Sequence, residues 1–433
     1  MKFSMFNCEE KYKNKIFLFN TLTRAIIELD DNYYDDLKTN IKNLNYKDLR
    51  DNFVDIKNMN DLGFIVDDDI DEFLLFKYWY NREKYKEKYL TITFLTTFNC
   101  NFRCYYCYEG ENNLNSRMKE ETLTKSLDFI GNLVKTNKPE KIDFNFFGGE
   151  PLLEMGTIGK IVEFLNDLKK KYGIEYITNI VTNGYLINDE MIEKFKRLSI
   201  NSFQITIDGE AEIHNKRRYL ANGNGTFNKI YENVILLLKN NFNVNININF
   251  DNENFESIIS FLKKFPEEYR DQVFIKLTPI KVTTNNSEKI DKIESVQSAK
   301  MYREIYRVIK DEKYLKMDSE FMDYGPCLFN RKNSLIIDAN GNISKCIFGI
   351  GNTHLTLGNI EEENEILKLK LMSQVGFDID YTEECKVCRV IPICLGGCRR
   401  EIIENGLNPK QINCKKEVIE EGIINTILDL HKM

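Results

Sequence analysis

Thiols constrain this chain more than any other feature of its sequence. Eleven cysteines occur in 433 residues: Cys8 alone, three between 100 and 107, and seven between 327 and 414. No apolar stretch of signal-peptide length precedes Glu9 and Glu10, so the chain reads as cytoplasmic. In that compartment disulfides are disfavoured, and an odd count leaves one thiol over in any pairing scheme. Two separate groups of reduced thiols read as metal ligands, and Cys8 as a buried structural residue. Each group then has to be gathered by loops that a rigid scaffold holds in place.

Composition narrows the partners. With 42% hydrophobic and 29% charged residues the chain can bury a sizeable core. A formal net charge of −7 and a pI near 5.4 argue against a nucleic-acid partner. No apolar run approaches the ~18 residues needed to cross a bilayer.

Three regions follow from the pattern. Residues 1–87 carry short apolar stretches at 3–6, 15–19 and 25–29, helix-like segments at 32–39 and 46–58, and a strand-like close at 62–66. This is the pattern of a small winged-helix-like unit. Residues 88–319 alternate strand-like runs (91–96, 141–147, 175–182, 202–207, 244–250, 273–277) with helix-length segments (119–134, 152–172, 189–198, 227–240, 254–265). Six such repeats predict an α/β partial (β/α)6 barrel, splayed because eight are needed for closure, with its chemistry at the carboxyl ends of the strands. Residues 320–433 are cysteine-rich, with a hairpin signal at Asp338-Ala339-Asn340-Gly341 and an apolar helix at 417–430.

The first motif, Cys100-x3-Cys104-x2-Cys107, follows the first barrel strand. Three thiolates so close can hold three irons of a [4Fe–4S] cube and leave the fourth open. Zinc would want a fourth, tetrahedral ligand, and the motif has no histidine beside it. Gly148-Gly149-Glu150-Pro151 ends the second strand, where glycine lets backbone approach a ligand and a carboxylate can take an ammonium group. Thr182-Asn183-Gly184 ends the third strand and Thr206-Ile207-Asp208-Gly209 the fourth, followed by His214-Asn215-Lys216-Arg217-Arg218. His214 reads as a loop-packing residue. Arg217 reads as the residue that pairs with a ligand carboxylate, with Arg218 left open. Asn247 and Asn249 alternate on the fifth strand, facing either a ligand or solvent.

With Tyr106 before the last cysteine, these motifs make residues 88–280 resemble the radical S-adenosylmethionine superfamily. The resemblance implies S-adenosylmethionine (SAM) chelated to the open iron and reductively split to a 5′-deoxyadenosyl radical, with flavodoxin or ferredoxin as reductant. It places Tyr106, Gly148, Gly149, Glu150, Asn183, Thr206, Asp208 and Arg217 against SAM.

The remaining string, Cys327-x18-Cys346 and Cys385-x2-Cys388-x5-Cys394-x3-Cys398-x15-Cys414, resembles the SPASM extension of that superfamily. Its last spacing is slightly shorter than the common form. By resemblance, Cys385, Cys388, Cys394 and Cys414 bind one auxiliary [4Fe–4S] cluster. Cys327, Cys346 and Cys398 bind a second with one iron open, which brings the total to three clusters. Taken alone, Cys385 to Cys398 also reads as a zinc ribbon.

SPASM relatives with such an N-terminal unit resemble maturases of ribosomally made peptides, which grip a leader peptide by a sheet edge. The reading is therefore a peptide maturase that installs a cross-link, most simply a thioether. An alternative is a sulfatase-maturating enzyme making formylglycine, although Ile347 stands where that family places an aspartate after the cysteine. A C–C cross-linking maturase and a non-catalytic electron carrier are further readings, as is an N-terminal unit that only braces the barrel.

Overall fold

The computed structural model describes residues 1–43, 54–109, 116–200, 202–283, 286, 295–314 and 325–424. The first strands are β1 (Lys2–Phe3), β2 (Asn7–Tyr12), β3 (Lys15–Asn20), β4 (Ile26–Asp30) and β5 (Ile65–Val66). The barrel strands are β6 (Tyr89–Leu95), β7 (Lys141–Phe147), β8 (Glu175–Thr182), β9 (Ser202–Thr206), β10 (Asn243–Phe250) and β11 (Val273–Pro279). Three more, β12 (Ser334–Ile337), β13 (Asn342–Ser344) and β14 (Thr356–Asn359), come from the cysteine-rich region.

Period-two patterning sets the barrel's two faces. On β7, Ile142, Phe144 and Phe146 are buried, and on β10 Val244, Ile246 and Ile248 are. These residues share one core with the connecting helices, for example Phe129, Ile130 and Leu133 of Glu120–Asn137 and Ile158, Ile161 and Leu165 of Met155–Tyr172. The alternate residues are polar: Asp143 and Asn145, Gln204 and Thr206, Asn245, Asn247 and Asn249, Lys276 and Thr278. The barrel is therefore apolar outside, under its helices, and polar inside. Such an interior suits a ligand cavity rather than a packed core.

Strands β6 to β11 run parallel in the order β11-β10-β9-β8-β7-β6. The sheet continues past β6 to β12, parallel to it, and then to antiparallel β13 and β14, for nine strands in all. The partial α/β barrel is as the sequence predicts. The seventh parallel strand is not, because 334–337 reads locally only as half of a hairpin. That hairpin does form: Asp338 Oδ1 accepts from Asn340 N (2.8 Å) and Asn342 N (2.9 Å), and Gly341 takes φ +79°.

The N-terminal residues form the sheet β2-β3-β4, the pair β1-β5 and helices Asp31–Asn40, Val54–Asp61 and Glu72–Lys84. The first strand of the sheet is 7–12 rather than 3–6. Its sequence, Asn-Cys-Glu-Glu-Lys-Tyr, is mostly polar because it is an edge strand with only Cys8 buried. Part of the helix expected at 46–58 and the end of the one expected at 417–430 lie outside the described residues. The helix Glu72–Lys84 is additional to those the sequence pattern predicts.

The unit packs on the cysteine-rich region. Phe17, Phe19 and Cys8 meet Val390, Ile393, Cys388 and Cys394, and Phe76, Trp79 and Tyr80 meet Ile391, Ile379, Tyr381 and Cys385. Thr21 donates to the Arg389 carbonyl, and Arg24 Nη2 donates to the Pro392 carbonyl at 3.1 Å.

Candidate active site

The cysteine loop leaves β6 and is clamped by the glycines that end β7. Gly149 N donates to Thr97 O (3.0 Å) and Glu150 N to Asn99 O (2.8 Å), so the two loops share backbone hydrogen bonds immediately before Cys100. A Cβ on Gly148 would lie 2.3 Å from Thr97 O, and one on Gly149 would lie 2.4 Å from Asn99 O. Backbone cannot retreat as a side-chain tip does. Gly149→Ala is expected to cost about 3 kcal/mol and lower the denaturant midpoint. Gly156→Ala, with nothing within 4 Å of its added carbon, is the control that should not.

Glu150 is fully buried. Its carboxylate accepts from Leu152 N (3.0 Å), Thr182 Oγ1 (2.6 Å) and Asn183 N (2.7 Å). Burial pushes its pKa up, opposed by those hydrogen bonds. It ties the end of β7 to the end of β8 and thereby sets Asn183, whose Nδ2 donates to Asn101 Oδ1 at 2.7 Å beside Cys100. Its side chain is not on the cavity wall, whereas Gly148, Gly149 and Asn183 are.

Around Tyr106 the ends of β9 and β10 form one network. The Tyr106 hydroxyl donates to Asp208 Oδ2 (2.5 Å) and accepts from Arg218 Nη1 (2.9 Å) and Asn249 Nδ2 (3.1 Å). Asp208 Oδ1 accepts from Asn249 N at 3.0 Å. Asn247 Nδ2 donates to Asn249 Oδ1 (3.1 Å) and its Oδ1 accepts from Thr278 (2.8 Å), extending the chain to β11. Both asparagines thus face the interior rather than solvent.

His214 accepts from Asp208 N through Nδ1 (3.2 Å), so its proton sits on Nε2, which meets Thr226 Oγ1 at 3.2 Å. Burial, with Arg218 and Arg217 nearby, drives its pKa well below the usual value. It is a neutral packing residue, as its sequence context suggests.

The two arginines divide the work. Arg217 Nη1 contacts both oxygens of Asp251 at 3.0 and 2.9 Å, and its guanidinium stacks over Tyr105 and Tyr106. Arg218 lines the cavity, and its buried Nε has no hydrogen-bond partner among the described residues. Both meet Tyr106 and each has a buried Nε without a hydrogen-bond partner among the described residues, but they differ in which lines the cavity, a point the sequence could not resolve. The structure brings Arg218, not Arg217, to the cavity wall.

All of this surrounds a cavity of about 710 Å³ at the carboxyl ends of the barrel strands, lined by Cys100, Cys104, Cys107, Thr182, Thr206 and Asn249 among others. Burial pushes the Cys104 thiol up and Arg218 pulls it down. Burial also lifts Glu109, on the same wall, to about 8. From the cysteine-rich region Ile347 and Phe348 close one side, with Phe348 edge-on to Tyr108 at 5.0 Å. Three thiols on one loop beside a cavity and an unpartnered buried guanidinium N–H fit a cluster bearing an anionic ligand.

Farther along the chain, Cys327, Cys346 and Cys398 lie within electrostatic reach of one another, and Cys394 of Cys388 and Cys414. Among the described residues no three cysteine, histidine or carboxylate side chains are grouped closely enough to hold a single metal ion. No helix among them is long and apolar enough to cross a membrane.

Residues 94–265 match the Radical SAM superfamily. The chain is 30% identical over 328 residues to a cysteine-type anaerobic sulfatase-maturating enzyme of Clostridium novyi (strain NT), spanning 70% of this chain and 85% of that one. Its fold is similar to native anSMEcpe with bound AdoMet and Kp18Cys peptide (TM-score 0.61, 19% identity, 79% of this chain and 100% of that one). It is also similar to Streptococcus suis SuiB bound to precursor peptide SuiA (TM-score 0.56, 15% identity, 96% and 99%). Thiol loop, glycine cradle, parallel partial barrel and relatives agree: the chain belongs to the radical SAM superfamily of enzymes.

Proposed function

We propose that this enzyme is a peptide maturase that uses SAM and three [4Fe–4S] clusters to cross-link a ribosomally made precursor, most simply through a thioether. The domains are then a leader-binding unit at 1–87, the radical SAM barrel at 88–319 and a SPASM region at 320–433. Cys100, Cys104 and Cys107 hold the catalytic cluster. Cys385, Cys388, Cys394 and Cys414 hold one auxiliary cluster, and Cys327, Cys346 and Cys398 the other. Flavodoxin or ferredoxin is the reductant. When bound, cluster and SAM together supply a carbon radical able to abstract hydrogen.

The chain's own residues do the rest. Gly148 and Gly149 hold the thiol loop and line the cavity where SAM would lie, and Asn183, Thr206 and Asn249 offer it polar groups. Arg218 presents its free N–H to the SAM carboxylate. Tyr106 and Asp208 hold Arg218 in place, while Glu150 and Arg217 fix the loops behind. Phe348 and Tyr108 restrict access of water.

The observation that carries the peptide reading is the N-terminal unit. Among the described residues β2 and β4 are the outer strands of its three-stranded sheet, and extended peptides add to such edges. The superposition on peptide-bound SuiB covers 96% of this chain, against 79% for anSMEcpe.

Sequence similarity to sulfatase-maturating enzymes favours a second reading, formylglycine formation. Ile347, on the cavity wall, supplies no carboxylate at the position where that chemistry is expected to need one. Mass spectrometry of a cysteine-containing precursor after turnover separates the two. A thioether removes two hydrogens and leaves a cysteine that no longer alkylates. Conversion of the cysteine to an aldehyde that captures a hydrazide would overturn the cross-linking reading.

A further inference from the structure

The cysteine-rich region holds a buried charge with no opposite partner. Arg399, next to Cys398 in the chain, is 1% exposed and is among the largest fully buried side chains of the protein. Its Nη1 donates to the carbonyls of Pro409 and, at 2.7 Å, Gln411. Its Nη2 donates to the carbonyls of Gly396 and, at 3.5 Å, Gly397. Its Nε is buried and has no hydrogen-bond partner among the described residues. No carboxylate among them pairs with this guanidinium, whereas the adjacent Arg400 meets Glu404 and, at 3.9 Å, Glu401.

A guanidinium does not shed its proton in a protein, so burying it without an anion is costly. Carbonyl dipoles offset part of that cost, and a full negative charge nearby would offset more. The surroundings of Arg399 narrow what that charge can be. Burial works against the guanidinium charge, while Tyr80, Tyr381, Cys327 and Cys398 act in its favour. Both phenols stay neutral, because burial lifts them well above their usual range. The thiols remain. They belong to the group Cys327, Cys346 and Cys398, whose members lie within electrostatic reach of one another. Each thiolate of a four-iron cube binds its own iron, so such ligands stand wider apart than around one ion.

The backbone keeps the charge in place. Leu395, Gly396 and Gly397 are three successive left-handed residues, with φ of +51°, +81° and +87°. A Cβ on Gly397 would lie 1.9 Å from Asn413 O. The loop before Cys398 is therefore pressed against the chain before Cys414, and Arg399 is clamped between them.

We propose that Arg399 is the fixed counter-charge of an anionic cluster at Cys327, Cys346 and Cys398, and that it raises the potential at which this cluster takes up an electron. The assignment rests on the cluster reading above. Reduction adds negative charge to a group that its thiolates already make anionic. A buried cation in a low dielectric favours the more negative state. Arg399 touches no substrate; it is a positioning residue that acts through the cluster by its charge.

The test uses the full chain, reconstituted anaerobically with iron and sulfide, and follows its clusters by EPR during a potentiometric titration. Cys346→Ala identifies the auxiliary signal as the one it removes. At a fixed applied potential, Arg399→Gln should lower the reduced-to-oxidised ratio of that signal tenfold or more, about 59 mV for a one-electron couple. Arg399→Lys, which keeps the charge and loses the fork, should leave the ratio near that of the unaltered protein. Ile412 Cδ1 and Arg399 Nη2 would each stand 3.1 Å from a Cβ on Gly396, so Ile412→Glu brings the missing carboxylate beside Arg399. It should lower the ratio as Arg399→Gln does. An unchanged ratio in Arg399→Gln or in Ile412→Glu overturns the proposal, as does an equal fall in Arg399→Gln and Arg399→Lys. If Arg399→Gln yields no folded protein, Ile412→Glu decides alone. The reading beneath it fails separately, if Cys346→Ala removes neither iron nor an EPR signal.

Discussion

Replacing Cys100, Cys104 and Cys107 together by alanine is expected to abolish SAM cleavage and to remove about a third of the iron, from ~12 to ~8 atoms per chain if three four-iron cubes are present. Iron assay and 5′-deoxyadenosine release after anaerobic reconstitution measure the two effects. The loss of cleavage should be complete because all three thiols sit on one loop, and the glycine cradle holds that loop by backbone hydrogen bonds at Thr97 and Asn99. The fold should survive. Of the three, only Cys100 and Cys104 join the barrel core, and at its periphery. Cleavage that persists in the triple variant would remove the loop from the chemistry. Loss of all iron would mean the clusters are assembled interdependently.

Deleting residues 1–87 is expected to do more than remove peptide binding. On sequence grounds the segment looks dispensable to the barrel, and the deletion should spare SAM cleavage. The structure keeps that expectation for the barrel and changes it for the cysteine-rich region. Phe17, Phe19, Trp79 and Tyr80 cover Val390, Ile391, Tyr381 and the loop of Cys385, Cys388 and Cys394. Uncovering such a surface costs roughly 25 cal/mol per Å² of apolar area, and a metal site is only as stable as the loops that preform it. The truncated chain should therefore lose the iron of that site, about four atoms, while 5′-deoxyadenosine formation continues. Full iron with lost peptide affinity would show that the unit is an independent module. Full iron with full affinity would show that it grips no leader.

The same contacts bear on what the unit is for. It does not simply brace the barrel, since its two apolar contact groups fall on the region after residue 376. A leader held by β2 or β4 would thus lie beside the cysteine-rich region, whose Ile347 and Phe348 reach the cavity. On the peptide reading, recognition and chemistry would meet through that region.

Local spacing determined much of this protein. The three-thiol motif, the two glycines and the alternation of Ile142, Phe144 and Phe146 with Asp143 and Asn145 are properties of short segments, so loops, strand boundaries and barrel class were readable from them. Period two also marks Gln204 and Lys276 as inward residues. Other features needed the tertiary structure, because they depend on residues far apart in the chain. Whether Arg217 or Arg218 faces the cavity turns on Asp251, thirty-four positions after Arg217. Glu150 is spent on Thr182 and Asn183 only because β7 and β8 are neighbours. β12 became a barrel strand through the open edge of β6, and the polar strand β2 took its place because a single cysteine reached the core. Hydrophobic period is written into each segment, whereas a partner for a charge or a sheet edge exists only once the chain has folded.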